Sequence, residues 1–455
     1  MGEVIAATRM TEKIKAARPR SKAVALSEDS LAQLFCEAHA GLLVYAHSFQ
    51  QWYIYQPTTG IWEQDGMELV QHWIRGFVRG LNKEQKEKWS KASVVAAVEK
   101  LARRDPVLAI RGTEFDADPW LLGTPAGVWD LRSGEMLKPS PTHYVNKRTA
   151  VAPLAQRPEL WLAFLTDATN GDTELMGYLQ RLAGYCLTGE TREEILVFMH
   201  GPGGNGKGVF MNAIRDVLGE YAKQAAMQVL LSNNGDRHPT ELANLNAARL
   251  VLASESPEGK RWDEERVKAL TGRDAISARF MNRDFFEFIP QFKLLVASNH
   301  KPRIRTVDDA WRRRLHLVPF THKPKCPNPE LKEQMRAEYP AILQWMIEGA
   351  DWWIREGLAP PASITKATEE YFKEEDVIGL WFAECCEAAP GATAERKKLY
   401  HSYDAWCRGM GHSAATMHTV TRWFKQRGFE QNTRDSSRPI LGVLLLEPPA
   451  PGLTQ

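Results

Sequence analysis

The stretch Ile195–Val209, ILVFMHGPGGNGKGV, decides how the rest of this 455-residue chain is read. It opens with Ile195–His200, apolar at every position through Met199, which fits a strand buried on both faces. It turns through Gly201–Gly208, GPGGNGKG, and continues with Val209, Phe210, Ala213, Ile214, Val217 and Leu218 at helical spacing. Strand, glycine-rich turn and helix together form the setting in which such a loop holds phosphate. The glycines let consecutive backbone N–H groups wrap an anion, the helix N-terminus adds positive potential, and Lys207 can reach the outer phosphates. Gly201, Pro202, Gly203, Gly204, Asn205, Gly206, Lys207 and Gly208 are therefore the expected nucleotide-binding residues. Gly208 departs from the pattern, because that position usually carries a Ser or Thr hydroxyl for Mg2+.

Phosphoryl transfer from such a loop needs groups on neighbouring strands. Leu250–Ala253 is a second buried-strand run, followed by Ser254 and Glu255. Glu255 is the expected residue to polarise the attacking water and to stand beside the metal. Ser254, where a second acid is common, is another departure. Lys293–Ser298 is a third such run and ends at Asn299, placed to sense the terminal phosphate. Arg312, Arg313 and Arg314 precede a further strand within Asp308–Phe320. An arginine offered to a neighbouring subunit's nucleotide stabilises the charge of phosphoryl transfer. At least one of the three is expected to pair with Asp308 or Asp309 instead.

Around this core the chain divides into a basic arm (1–24), an α/β segment (25–150), a helical collar (151–190), the nucleotide-binding core (191–325), a helical segment (326–375), a small C-terminal unit (376–447) and a loose tail (448–455). Trp120–Met136 reads as two short strands and Leu331–Glu356 as helix. Ile276–Phe280 and Phe285–Ile289 read as strands of a hairpin turning at Met281–Asp284. In the C-terminal unit, Lys397–Trp406 and the stripe Met417, Val420, Trp423, Phe424 read as helices, with His418, Arg422 and Lys425 on the opposite face of the second. Phe429–Thr433 and Ile440–Leu446 read as two strands. Helix, helix and a two-stranded wing is the pattern of a winged helix, which usually reads duplex DNA.

Composition excludes several classes. Apolar residues are 44% and charged residues 25%, ordinary for a globular chain. No apolar run approaches the ~20 residues of a membrane span, and the N-terminus lacks a signal-peptide core. Six cysteines show neither CxxC nor zinc spacing, which fits thiols in a reducing cytoplasm. The net charge of +2 hides local excesses: residues 1–24 carry +4, residues 259–320 +6 and residues 396–438 +6. An acidic body with basic contact surfaces fits nucleic-acid binding that weakens with salt.

The segments Thr124–Glu135 (TPAGVWDLRSGE), GPGGNGKGVF, Gly235–Glu255, Lys268–Phe288 and Phe292–Arg305 together resemble the phage and plasmid primase–helicase proteins, over about Leu26 to Leu446. Those proteins have a superfamily 3 helicase core related to poxvirus primase–helicases. The resemblance implies an AAA+-like P-loop ATPase core, preceded by an N-terminal α/β plus helical domain and followed by a winged-helix domain. It implies a hexameric ring that uses ATP and Mg2+ to translocate 3′→5′ on DNA, with sites shared between subunits. Lys207 becomes the Walker lysine, Glu255 the Walker B glutamate and metal-side residue, Asn299 the sensor, and Arg312 to Arg314 the arginine-finger candidates. Asn282 and Arg283 at the hairpin tip would touch single-stranded DNA, with Lys268 and Arg279 lining the approach and Arg422 and Lys425 on duplex. Single-stranded and forked DNA, a separate primase and an origin-binding or loader protein are the implied partners, in a bacterial host cytoplasm and with no membrane. The pair Asp116 and Asp118 has the spacing of a polymerase-type metal site, but lies in a segment without room for a primase fold, so no priming is expected. Two other readings stand beside the helicase. One is a nucleotide-switched origin-binding or loading ATPase, favoured by Gly208 and Ser254, and the other a prophage remnant that only binds DNA.

Overall fold

The computed structural model describes residues 27–81, 89, 91–232, 240–254, 259–281, 284–304, 307–324, 328–433 and 435–446. Ser27 caps the first helix, α1 (Glu28–His39), through a reciprocal pair with Ser30. With α2 (Leu69–Leu81) and α3 (Ala92–Ala102), it packs on a four-stranded sheet of β1 (Leu43–Ala46), β2 (Gln51–Gln56), β3 (Ile61–Gln64) and β4 (Ala109–Ile110). The order is β3-β2-β1-β4, antiparallel except for the β1–β4 pair. Side chains alternate between faces as strand geometry demands: Leu43, Tyr45 and Trp52 meet the helices, while Val44, Tyr53 and Tyr55 join Trp62 and Phe115 on the other side. Trp120–Met136 forms three strands rather than two, β5 (Leu121–Thr124), β6 (Gly127–Asp130) and β7 (Glu135–Met136). The last is a two-residue strand, too short for an alternation signal.

Two helices, α4 (Glu159–Ala168) and α5 (Thr173–Leu187), lead into a five-stranded parallel sheet. The chain passes through β8 (Leu196–His200), α6 (Lys207–Leu218), β9 (Ala222–Gln224), α7 (Thr240–Ala243), β10 (Leu250–Ser254) and α8 (Glu264–Thr271). A separate antiparallel pair follows, β11 (Ile276–Ala278) and β12 (Phe286–Phe288). Then come β13 (Lys293–Ser298), α9 (Asp309–Arg314) and β14 (Leu315–Pro319). The order β14-β8-β13-β10-β9 places β8 inside the sheet, flanked by β13 and β14. This is why Leu196–Met199 lacks alternation: both faces are covered. Val197, Met199, Leu252, Leu295 and Val318 pack against α4, α5 and α6, and Leu196, Phe198, Val251, Leu294 and Leu317 face the opposite layer.

The expected single helix over Leu331–Glu356 is two, α10 (Leu331–Arg336) and α11 (Tyr339–Glu356). Pro340, in the first turn of α11, has no N–H to continue the earlier helix. The rest comprises α12 (Ala362–Glu375), α13 (Val377–Cys385), β15 (Cys386–Ala394), α14 (Arg396–Gly409), α15 (Met417–Gln426) and β16 (Ile440–Leu445). Here the two-strand expectation is corrected. The partner of β16 is β15, paired from Cys386↔Leu445 to Ala394↔Ile440 across a register shift between Ala388 and Thr393, whereas Phe429–Thr433 contributes one bridge, Gln431↔Ile440. The Asn432 N–H on the Pro439 carbonyl at 3.0 Å and the Leu441 N–H on the Glu430 carbonyl at 2.8 Å are the two bonds of that bridge, and the pairing stops there.

Buried cations tie the N-terminal segment to the central sheet. Arg249, 1% exposed, donates to the carbonyls of Leu187 and Leu121 at 2.5 and 2.6 Å. The Tyr221 hydroxyl donates to the Lys147 carbonyl and accepts from the Gly123 N–H, both at 3.0 Å.

Candidate functional site

Helix α6 starts unlike α5, α8 and α9. Asp172, Asp263 and Asp308 cap α5, α8 and α9 by accepting from backbone N–H groups at 2.9, 3.1 and 2.9 Å. The residue at that position of α6 is Gly206, at φ +89°, and it brings no side chain. A helix begun this way offers its first N–H groups to an external anion. Asn205, 2% exposed, staples the loop from below: its amide donates to the Phe320 carbonyl beyond β14, and its Oδ1 accepts from Lys207 Nζ at 3.0 Å.

Lys207 is the centre of the arrangement. Its ammonium donates to the carbonyls of Gly201 and Pro202 at 2.6 and 3.2 Å and to Asn299 Oδ1 at 3.1 Å. All four of its acceptors, Asn205 Oδ1 included, are neutral oxygens, so none of them cancels the charge. Burial lowers the Lys207 pKa from the ordinary lysine value. The structure thus brings together the loop lysine and Asn299, 92 residues apart, because β13 lies directly beside β8. Gly203 to Val209, Ala297 to His300 and Lys332 line a cleft of about 530 Å3. Lys332, exposed on α10, is a basic residue that sequence reading did not single out. Nothing local marks it, since only the return of α10 over the loop brings it there. Burial and the neighbouring Lys301 push His200 below the usual imidazole range.

Glu255 lies outside the described residues. Ser254, just before it, is exposed and stands in register with Ala297, two positions ahead of Asn299. The three arginines diverge. Arg314 is largely buried and pairs with Glu194 at 2.8 Å, not with Asp308 or Asp309. Arg312 is exposed with its guanidinium 5.3 Å from the Phe372 ring, and Arg313 is exposed. All three precede β14, whose first residue, Leu315, is in register with Leu196, while Pro319 is in register with His200. They stand at the end of the sheet away from their own glycine loop, about 13 Å off along the strand.

In the hairpin, Ile276↔Phe288 and Ala278↔Phe286 pair as expected, and Asn282 and Arg283 lie outside the described residues. Arg279 sits 4.8 Å from the Phe285 ring. Lys268 is held by Asp308 at 2.7 Å, joining α8 to α9. Lys425 is exposed, whereas Arg422 lines clefts shared with the central sheet. Asp116 accepts from Lys147 Nζ at 2.9 Å and Asp118 pairs with Arg132 at 3.4 Å, so each carboxylate serves its own cation. Among the described residues, no group of three or more His, Cys, Asp or Glu gathers to hold a metal ion, and no helix is long and apolar enough to cross a membrane.

Residues 32–170 match the family model described as "D5 N terminal like", and residues 199–314 match one described as a family of unknown function, DUF5906. Among curated relatives, a "Putative helicase" of Acanthamoeba polyphaga mimivirus is 26% identical over 290 residues, covering 58% of this chain and 30% of that protein. "Primase D5" of Fowlpox virus is 28% identical over 155 residues, 31% of this chain and 19% of the other. The chain spans less than a third of the length of these two relatives. Among solved structures, the apo C-terminal region of NrS-1 superposes with a TM-score of 0.50 at 11% identity, covering 93% of this chain and 100% of that one. That similarity concerns the fold.

Proposed function

We propose, on the premise that this chain carries a D5 N-terminal-like domain and is a homologue of viral proteins named helicase and primase, that it is an ATP-dependent DNA helicase of replication. It would act as a ring of identical subunits, hexameric and 3′→5′ by resemblance, on phage, prophage or plasmid DNA. The observation that carries the reading is the 3.1 Å contact between Lys207 of the glycine loop and Asn299 at the end of the adjacent parallel strand. On this reading the five-stranded sheet is an AAA+-like P-loop core. The C-terminal unit, in the order helix, strand, helix, helix, strand, is a winged helix.

The chemistry then follows from the chain's own residues. Loop N–H groups and Lys207 bind the outer phosphates of ATP, Asn299 orients the attacking water, and Glu255 polarises it. Mg2+, if it accompanies the nucleotide, would neutralise phosphate charge; Gly208 offers it no oxygen, and Glu255 is the side chain that would hold it. The arginines, remote from their own loop along β14, serve a neighbour's nucleotide across a heterologous interface that closes into a ring. Arg313 is the foremost of the three, since Arg314 is engaged by Glu194.

ATP hydrolysis and forked-duplex unwinding, measured with and without single-stranded DNA for wild type and Lys207→Ala, test the proposal. DNA-stimulated turnover with strand separation, lost in the variant by at least ~100-fold, is expected. A second reading, a nucleotide-switched origin-binding or loading ATPase, is favoured by Gly208 and Ser254. Binding of ATP and DNA by the wild type without turnover would establish it instead.

A further inference from the structure

A cleft between the C-terminal unit and the segments that follow β10 and β13 at one end of the central sheet has a chemistry that the proposed turnover does not use. It encloses about 270 Å3, with Arg261 and Arg303 on the sheet side and Arg422, from α15, opposite. Arg261 and Arg303 face each other across a parallel bridge, fixed by the Trp262 N–H on the Arg303 carbonyl at 3.0 Å and the Arg303 N–H on the Lys260 carbonyl at 2.8 Å. All three arginines are exposed, and none carries an ion pair within the described residues. The two acids of the cleft each have other partners as well. Glu375 accepts from the Ile304 N–H at 2.8 Å and stands in the field of Arg303, and burial pushes its pKa up. Asp376 accepts from the Gly379 N–H at 3.0 Å and Trp423 Nε1 at 2.8 Å and pairs with Arg427 at 2.5 Å.

Three exposed guanidiniums without an ion pair line one cleft, and their planar forks match phosphate oxygens. We propose that this cleft binds backbone phosphodiesters of a nucleic acid, so that a strand passes between the C-terminal unit and the sheet. A polynucleotide fits better than a single phosphate because the site is elongated. Arg422 also lines an adjoining cleft of about 410 Å3 with His418 and Gln426, whose far wall holds Glu264 and the Lys268-bound Asp308. The position carries a consequence that rests on the proposed helicase function. Arg303 lies four residues beyond Asn299 and Arg261 six beyond Glu255, so a bound strand bears on both segments leaving the nucleotide site.

The test is binding of fluorescent dT30 to the full chain, followed by anisotropy across a salt series. The Arg261→Ala/Arg303→Ala double variant is expected to bind about tenfold more weakly or worse, with a log–log salt slope shallower by about 1.4, for two lost single-strand phosphate contacts. Arg422→Glu should weaken binding similarly, and Arg261→Lys/Arg303→Lys should retain most of it. Wild-type affinity and slope in the double alanine variant would overturn the proposal. So would equal loss in the lysine variant, which would mark a packing role. Displacement of dT30 by inorganic phosphate beyond its ionic-strength effect would overturn it too, in favour of a free-phosphate site. The assay needs no ATP turnover, so absence of hydrolysis by the wild type counts against the helicase reading alone.

Discussion

Two glycines of the phosphate-type loop, two positions apart, are expected to respond to alanine with opposite signs. At Gly206 the backbone sits at φ +89°, and an added Cβ would lie 2.9 Å from Phe164 Cε2 and 3.3 Å from the Ala168 Cβ. Positive φ costs a non-glycine residue about 1–2 kcal/mol. Displacing a packed ring adds about 1–3 kcal/mol. Phe164 cannot retreat freely, since Trp161 stands 5.5 Å away within the same core. Gly206→Ala should therefore destabilise the loop and the start of α6 by about 2–5 kcal/mol. At Gly208 a Cβ would meet nothing within 4 Å, and the residue is already helical. Gly208→Ala should stabilise by about 0.5 kcal/mol through helix propensity and reduced unfolded-state entropy. Hydrogen exchange on peptides spanning 199–218 reads the local opening energy directly. Equal destabilisation by both substitutions, or protection unchanged in Gly206→Ala, would show that neither the positive φ nor the Phe164 contact governs the loop. The same open space means that Gly208→Ser fits. Under the proposed function its hydroxyl should lower the Mg2+ concentration needed for turnover.

Three further expectations concern individual cations. Burial lowers the Lys293 pKa to about 7 from the ordinary lysine value of 10.5, while its ammonium faces the carbonyls of Thr188, Glu190 and Gln291. Above about pH 7 the unfolded chain then keeps a proton that the native chain has lost. Stability should rise with pH by up to about 1.4 kcal/mol per unit between pH 7 and about 8.5, below the range where Cys186 and the tyrosines titrate in the unfolded chain. Urea unfolding across that window, compared with Lys293→Met, checks it: the variant should show a flatter slope, and identical slopes would exclude the assignment. Arg314→Ala leaves Glu194 without its partner in a half-buried site and should cost about 1–3 kcal/mol in the same assay. Arg313→Ala should leave stability within ~0.5 kcal/mol. Under the ring proposal it should abolish turnover, and adding Lys207→Ala subunits should then restore part of it through mixed interfaces.

Much of the central sheet was legible because its physics is local. A strand covered on both faces needs an unbroken apolar run, and Leu196–Met199, Leu250–Ala253 and Leu294–Ala297 each supply one. The glycine turn and the helical stripe behind it added the loop. Reading failed where the signal was short or the partner remote. Strand β15 contains Pro390 and Gly391 and pairs with residues some fifty positions away, so nothing nearby announced it. Phe429–Thr433 has strand-like composition, yet β16 already has β15 on one edge and gains only Gln431 on the other.

Local sequence marked the residue types that a phosphate site would draw on: a glycine turn with Lys207, a strand ending in Asn299, and a run of three arginines. Those follow from periodicity and from the backbone freedom of glycine, properties that each short segment carries alone. The tertiary structure decided which of them meet. Strand order placed Asn299 on Lys207, the return of α10 brought Lys332 to the cleft, and docking of the C-terminal unit turned Arg422 towards Arg261 and Arg303. It also separated the three arginines. Adjacent helical residues point about 100° apart, so one is tied to Glu194, one lies over Phe372, and Arg313 is left exposed. Direction around a helix and proximity across a sheet depend on the packing of distant segments, which no local pattern encodes.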